Sequence, residues 1–171
     1  MNIEKYSPSI RMIHWLMFIL FAIIFVFGFV MVEFKASEPW MMYNFHKATG
    51  VLVFLFVLFR LVLRWKTQIP PPSAEIKPSE QSIAKITVFL LYLFMIIVPL
   101  TGYALSNVHG YHVSFYGLPL PDLFPSVETW ENISSLLHEY SAYIFLGIIG
   151  LHLLGVIKHH LKGQDILHRI T

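Results

Sequence analysis

Cysteine is absent from this chain, and with it go disulfide staples, thiolate metal sites, iron–sulfur clusters and any thiol-based electron relay. Charge is scarce too: Asp, Glu, Lys and Arg make up 13% of the residues, where soluble domains carry about a quarter. With 56% hydrophobic and 16% aromatic residues and a mean hydropathy of +0.65, an ordinary water-soluble domain is excluded, although 171 residues suit a single domain. A formal net charge of +2 is too small to suggest a nucleic-acid partner. What the chain has in place of these is nine histidines, which leaves imidazole as the one borderline-soft metal ligand in quantity.

Four apolar runs stand out, at 12–32, 46–65, 83–105 and 133–157, of 21, 20, 23 and 25 residues. At about 1.5 Å per residue each can cross a hydrocarbon core of roughly 30 Å. The first is longer than the apolar part of a signal peptide and lacks a small-residue cleavage pattern after it, so it is expected to stay in the mature chain. Backbone polar groups in lipid must be paired within the segment, so the runs predict helices, and four helices predict an all-α transmembrane bundle.

Ten of the twelve lysines and arginines fall on one side of these crossings: Lys5 and Arg11, then Arg60, Arg64, Lys66, Lys77 and Lys85, then Lys158, Lys162 and Arg169. Lys35 and Lys47 lie on the other side, among Glu33, Glu38, Asp122, Glu128, Glu131 and Glu139. The positive-inside rule then places both termini in the cytoplasm. Pro70, Pro71 and Pro72 read as a stiff cytoplasmic spacer. The outer connection 106–132, with Tyr111, Phe115, Tyr116, Phe124 and Trp130, is too apolar for a free loop and is expected to fold back as a cap.

An ionisable residue within the membrane is costly and needs a reason. His14, His46, His138 and His152 fall in or at the edge of helices one, two, four and four. His138 and His152 are 14 residues apart, so they share a face of helix four yet stand about 21 Å apart along it. They cannot serve one small site; two sites at two depths are required. Topology pairs His14 with His152 near the cytoplasm and His46 with His138 near the outer surface. Two ligands from two helices at each level suit axial ligation of a flat cofactor from both faces, as in a bis-histidine haem. Catalytic zinc would want three or more ligands at one level. Gly28, 14 residues after His14, leaves room at the outer level, and Gly50 and Gly155 are similarly placed. Arg60, 14 residues after His46, brings a guanidinium to the inner level, where it suits propionates. The alternatives are that the histidines are hydrogen-bonding glue between helices and the glycines close-packing devices. His159, His160 and His168 follow helix four at the interface, and His109 and His112 lie in the outer loop, where solvated side chains are the ordinary state. Glu139 reads as interfacial and Pro99 as a kink in helix three.

The segments Ile13-His14-Trp15-Leu16, His46-Lys47-Ala48-Thr49-Gly50, Arg60-Leu61-Val62-Leu63-Arg64 with the proline run, Gly102-Tyr103, His138, and Leu151-His152 through His159-His160 together resemble the bacterial cytochrome b561 family. The likeness runs from Tyr6 to Arg169. It implies an inner-membrane cytochrome b with two b haems on His14, His46, His138 and His152. It also implies electron exchange with ubiquinone or another quinone, with His159 as the quinone contact, and a periplasmic-side electron donor. One branch of the family implies superoxide oxidase activity, superoxide passing its electron to ubiquinone. A reading of another class is a non-haem metal-ion transporter or a purely structural bundle. A transporter would place ligands near the midplane along a path, whereas the midplane of this chain is aliphatic and aromatic.

Overall fold

The computed structural model describes residues 5–33, 39–71, 76–164 and 166–171. Four helices dominate: α1 (Pro8–Glu33), α2 (Pro39–Lys66), α3 (Pro78–Val108) and α4 (Glu131–Leu161). All four are long and apolar enough to cross a bilayer, the multi-pass bundle expected from the apolar runs.

Each helix is longer than its apolar run. A hydropathy window stops where polar interfacial turns begin, but the backbone continues for as long as its hydrogen bonds are met. The first three helices open on Pro8, Pro39 and Pro78. Proline's fixed φ suits the first helical position, where its missing N–H would have had no partner in any case. The helix starts at 12, 46 and 83 are thus corrected to these prolines, and helix four runs on to Leu161, carrying His159 and His160 inside it. Helix three continues through Pro99 to Val108. Residues 34–38, with Lys35 and Glu38, and Pro72 of the proline run lie outside the described residues.

Backbones approach closely between α1 and α2, α2 and α3, and α3 and α4. One buried cluster joins Ile13 and Met17 to Val53 and Val57; a second joins Leu91 to Phe145 and Ile148. Among the described residues α4 makes no comparably close backbone approach to α1 or α2. Large rings bridge that wider seam, with Phe145 meeting Phe21 at 5.1 Å and Phe25 at 5.9 Å between centroids. Among the buried and half-buried positions of α4, Ser134, His138, Ser141, Phe145, Ile148, His152 and His159 repeat at helical spacing and form one inward-facing stripe.

The connection from α3 to α4 is the expected cap. A two-stranded hairpin, β1 (Ser114–Phe115) and β2 (Leu118–Pro119), turns through Tyr116 at φ 47° and Gly117 at φ 95°. Positive φ at both central residues matches the strand twist of a tight hairpin, and Tyr116 holds it against the usual preference of a bulky residue. Its hydroxyl is 3.1 Å from Oγ1 of the fully buried Thr49, which staples the hairpin to α2. Asn107, buried in the last turn of α3, organises the rest. Its Nδ2 donates to Tyr111 O at 3.2 Å and Asp122 Oδ1 at 3.0 Å, while its Oδ1 accepts from the Leu123 and Phe124 amides at 3.0 and 3.4 Å. Asn107→Leu removes every one of those bonds while filling similar space. It is expected to cost on the order of 2 kcal/mol and to raise amide exchange across 110–127 while the helices stay protected, as hydrogen-exchange mass spectrometry would read.

At the opposite end the C-terminal turn folds onto the start of α1. Tyr6 N donates to Arg169 O and Trp15 Nε1 to Ile170 O, each at 3.0 Å, and Arg169 Nη2 donates to Pro71 O at 2.6 Å. Glu80 bridges Lys158 at 2.8 Å and Lys162 at 3.2 Å, tying the start of α3 to the end of α4.

Candidate histidine centres

The wide seam holds two histidine pairs. The rings of His14 on α1 and His152 on α4 stand 6.4 Å apart between centroids, and those of His46 on α2 and His138 on α4 stand 6.3 Å apart. All four residues are half-buried. The pairing is the one that helix direction and the 14-residue spacing predict. Phe145 lies seven residues from each α4 histidine, and Phe21 lies seven from His14. Midway between the pairs, about 10 Å from each, the seam is therefore filled by aromatic carbon. No group of three or more His, Cys, Asp or Glu side chains is placed to hold a metal ion among the described residues.

The His46–His138 pair sits in two notches. A Cβ on Gly102 would come within 2.9 Å of His138 Cε1 and 3.1 Å of its Nδ1, and one on Gly28 within 3.3 Å of His46 Cε1. His138 Nδ1 lies 3.2 Å from Val98 O and 3.3 Å from Thr101 Oγ1. A carbonyl only accepts, and Thr101 already donates its own proton to Val98 O at 2.9 Å. The proton of His138 is therefore on Nδ1, which leaves Nε2 with a bare lone pair. His46 Nδ1 is buried and makes no hydrogen bond of good geometry among the described residues.

The His14–His152 pair is approached by cations. Arg60 Nη2 donates to His14 Nδ1 at 3.2 Å and its Nε to Tyr92 Oη at 2.9 Å. The guanidiniums of Arg60 and Arg64 lie 6.0 and 5.7 Å from the centre of the same Tyr92 ring. Arg60 thus stands where the spacing placed it. Tyr92, Thr101 and Gly102 were not picked out as site residues by their spacing, because a lone tyrosine, threonine or glycine in a membrane helix carries no periodic signal. Gly50 meets only Ile24 Cδ1, at 3.6 Å, and Gly155 meets nothing within 4 Å, so no neighbour requires a glycine at either.

His159 is buried, its Nδ1 donating to Gln164 Oε1 at 2.6 Å, two helical turns beyond His152 on the same stripe. His160 beside it is exposed. In the cap, His112 pairs with Asp122 at 2.9 Å and His109 Nδ1 donates to Leu105 O at 3.0 Å, so both have local structural partners. Lys47 Nζ donates to His112 O at 3.1 Å and lies 5.9 Å from the Tyr111 ring centre.

A four-helix membrane bundle with two facing imidazole pairs at different depths is the architecture of a membrane cytochrome b. The profile of the family described as prokaryotic cytochrome b561 matches residues 5–171, and the chain belongs to that family. Similar proteins include "Cytochrome b561 homolog 2" of Escherichia coli (strain K12), 24% identical over 167 residues, 95% of this chain and 88% of that protein. "Probable superoxide oxidase CybB" of Yersinia pestis is 27% identical over 170 residues, covering 95% and 92%, and "Cytochrome b561 homolog 1" of Escherichia coli (strain K12) is 25% identical over 169 residues, covering 95% and 93%. Membership implies haem b and membrane electron transfer.

Proposed function

We propose that the protein is an inner-membrane electron carrier with two b haems. His46 and His138 would hold one on the outer side and His14 and His152 the other on the cytoplasmic side, both termini being cytoplasmic. The observation that carries this reading is the pair of matched ring separations. With metal–imidazole bonds of about 2.0–2.1 Å, two rings ligating one ion from opposite sides have centres roughly 6 Å apart. The wide α4 seam, the glycine notches at Gly28 and Gly102, the bare Nε2 of His138 and the buried, poorly partnered Nδ1 of His46 fit the same group. Bound haems supply one-electron carriage between the two faces of the membrane.

The chain's own residues do the rest. Arg60, with Arg64 across Tyr92, places positive charge at the inner level, where it would hold haem propionates. An iron on Nε2 of His14 would put the imidazole proton on Nδ1, and a guanidinium, which has no acceptor, would then release that nitrogen to bind an anion instead. The aromatic layer around Phe145 keeps water from the space between the centres. Reducing a quinone takes two electrons and two protons, and we place the quinone at the cytoplasmic end beside His159, whose imidazole is the kind of side chain that exchanges protons near neutrality.

On the outer side Lys47 and the capping hairpin stand over the His46–His138 pair, and a soluble donor must approach there. The similarity to a protein named as a probable superoxide oxidase makes superoxide the second reading for that donor. The test is spectroscopic. The purified protein should show sharp reduced-state haem bands, and its reduced form should be reoxidised by added ubiquinone more slowly in His159→Ala. Unchanged reoxidation in both His159→Ala and His160→Ala moves the quinone elsewhere, and absent bands end the haem reading. Fast haem reduction by a superoxide pulse, lost in His46→Ala, would select superoxide as donor.

A further inference from the structure

We infer that Gln164 is a positioning residue of the quinone site: by accepting the Nδ1 proton of His159 it leaves Nε2 as the one atom of that ring able to exchange a proton with a quinone oxygen. The inference rests on the reading above that places the quinone beside His159, and it gives a role to the turn that follows α4.

The turn is written in the sequence Lys162-Gly163-Gln164. Gly163 takes φ 74°, a left-handed conformation that costs glycine little. Its amide donates to His160 O and the Gln164 amide donates to His159 O, each at 3.0 Å. These are the two bonds with which a Schellman motif closes a helix. The reversal lays Gln164 back over the last turns of α4, where its Oε1 comes 2.6 Å from His159 Nδ1. Further along, Arg169 O accepts from the Tyr6 amide and Ile170 O from Trp15 Nε1, each at 3.0 Å. The C-terminal turn is thus tied to the end of α4 on one side and to the start of α1 on the other.

An amide oxygen only accepts, so the proton of neutral His159 is on Nδ1 and Nε2 carries the bare lone pair. Although His159 is buried, its Nε2 makes no hydrogen bond among the described residues, and it is not enclosed as Arg11 Nε and His46 Nδ1 are. It is open to a ligand oxygen. The neighbouring cations on α4, Lys158 and Lys162, are engaged by Glu80 of α3 at 2.8 and 3.2 Å, and Gln164 Oε1 is the one side-chain acceptor on the ring among the described residues. Neutral His159 then accepts a hydrogen bond from a quinol hydroxyl, and His159 with a further proton from water on Nε2 donates to a quinone carbonyl. In the reducing direction the N–H bond at Nε2 breaks and an O–H bond forms on the quinone. That supplies one of the two protons the reduction takes, the two electrons being those the protein carries. The ring is left neutral, with its other proton still held by Gln164. Without that acceptor the proton would divide between the two nitrogens, and only part of the population would offer Nε2 in the right state.

Stopped-flow reoxidation of the reduced, detergent-purified holoprotein by a short-chain ubiquinone tests this. Gln164→Leu keeps much of the side chain's bulk and removes the acceptor. At saturating ubiquinone it should slow reoxidation on the order of 10-fold, close to the effect of His159→Ala, with haem content unchanged. Gln164→Glu, whose carboxylate also accepts, should stay near the parent rate. In a His159→Ala background Gln164→Leu should add nothing, because its effect runs through that ring. A parent rate in Gln164→Leu beside a slow His159→Ala, equal slowing by Gln164→Leu and Gln164→Glu, or additive slowing in the double variant would overturn the positioning role and leave the quinone beside His159. An unchanged rate in His159→Ala would instead bring down the placement of the quinone, and this inference with it.

Discussion

Replacing His14 or His152 with alanine is expected to abolish the inner haem alone, and replacing His46 or His138 the outer one alone. Half of the haem absorbance should be lost in each of the four variants, with the same spectral component missing within each pair. The effect is large because an axial ligand has no substitute. Ring centres 6.3 and 6.4 Å apart leave one imidazole on each side, and no third His, Asp or Glu stands ready among the described residues. Haem content by pyridine haemochrome assay, together with low-temperature spectra of the reduced protein, measures it. Loss of the same component from His14→Ala and His46→Ala would contradict the pairing.

Gly102→Ala should be nearly as damaging to the outer centre as loss of His138 itself. The added Cβ would sit 2.9 Å from the ring, closer than carbon atoms tolerate, and the ring can yield only by leaving its hydrogen bond to Val98 O and its station opposite His46. Gly28→Ala, at 3.3 Å from His46 Cε1, is a milder intrusion and should reduce outer-haem occupancy only in part. Gly147→Ala serves as the control, since nothing lies within 4 Å of its Cβ position. An outer haem retained at full occupancy in Gly102→Ala would show that the notch is not required.

The bundle was legible because lipid imposes a crude rule: twenty or so apolar residues in a row have few other solutions. Helix ends were less so, because the turns around Pro8, Pro39 and Pro78 are polar enough to escape a hydropathy window while still forming good helix. The histidine pairing followed from the 14-residue spacing on one helix and the direction of the other two, which are properties of the chain alone. Thr101, Gly102 and Tyr92 were hidden, because their meaning is a distance across to another helix. Asn107 was hidden for a different reason: its four hydrogen bonds reach residues up to 17 positions away within a connection whose shape no period describes.

The aromatic layer of Phe21, Phe25 and Phe145 has an electrical consequence. Its three rings carry no group that can relay a proton, so on the two-haem reading charge moving past them would be that of electrons alone. The levels lie about 21 Å apart in a core of roughly 30 Å, so about two thirds of the membrane voltage falls between them. On the proposed orientation, an electron moving inward against a negative interior would climb about 1.6 kcal/mol for each 100 mV. The transmembrane voltage would then act as a brake on inward electron flow through the protein.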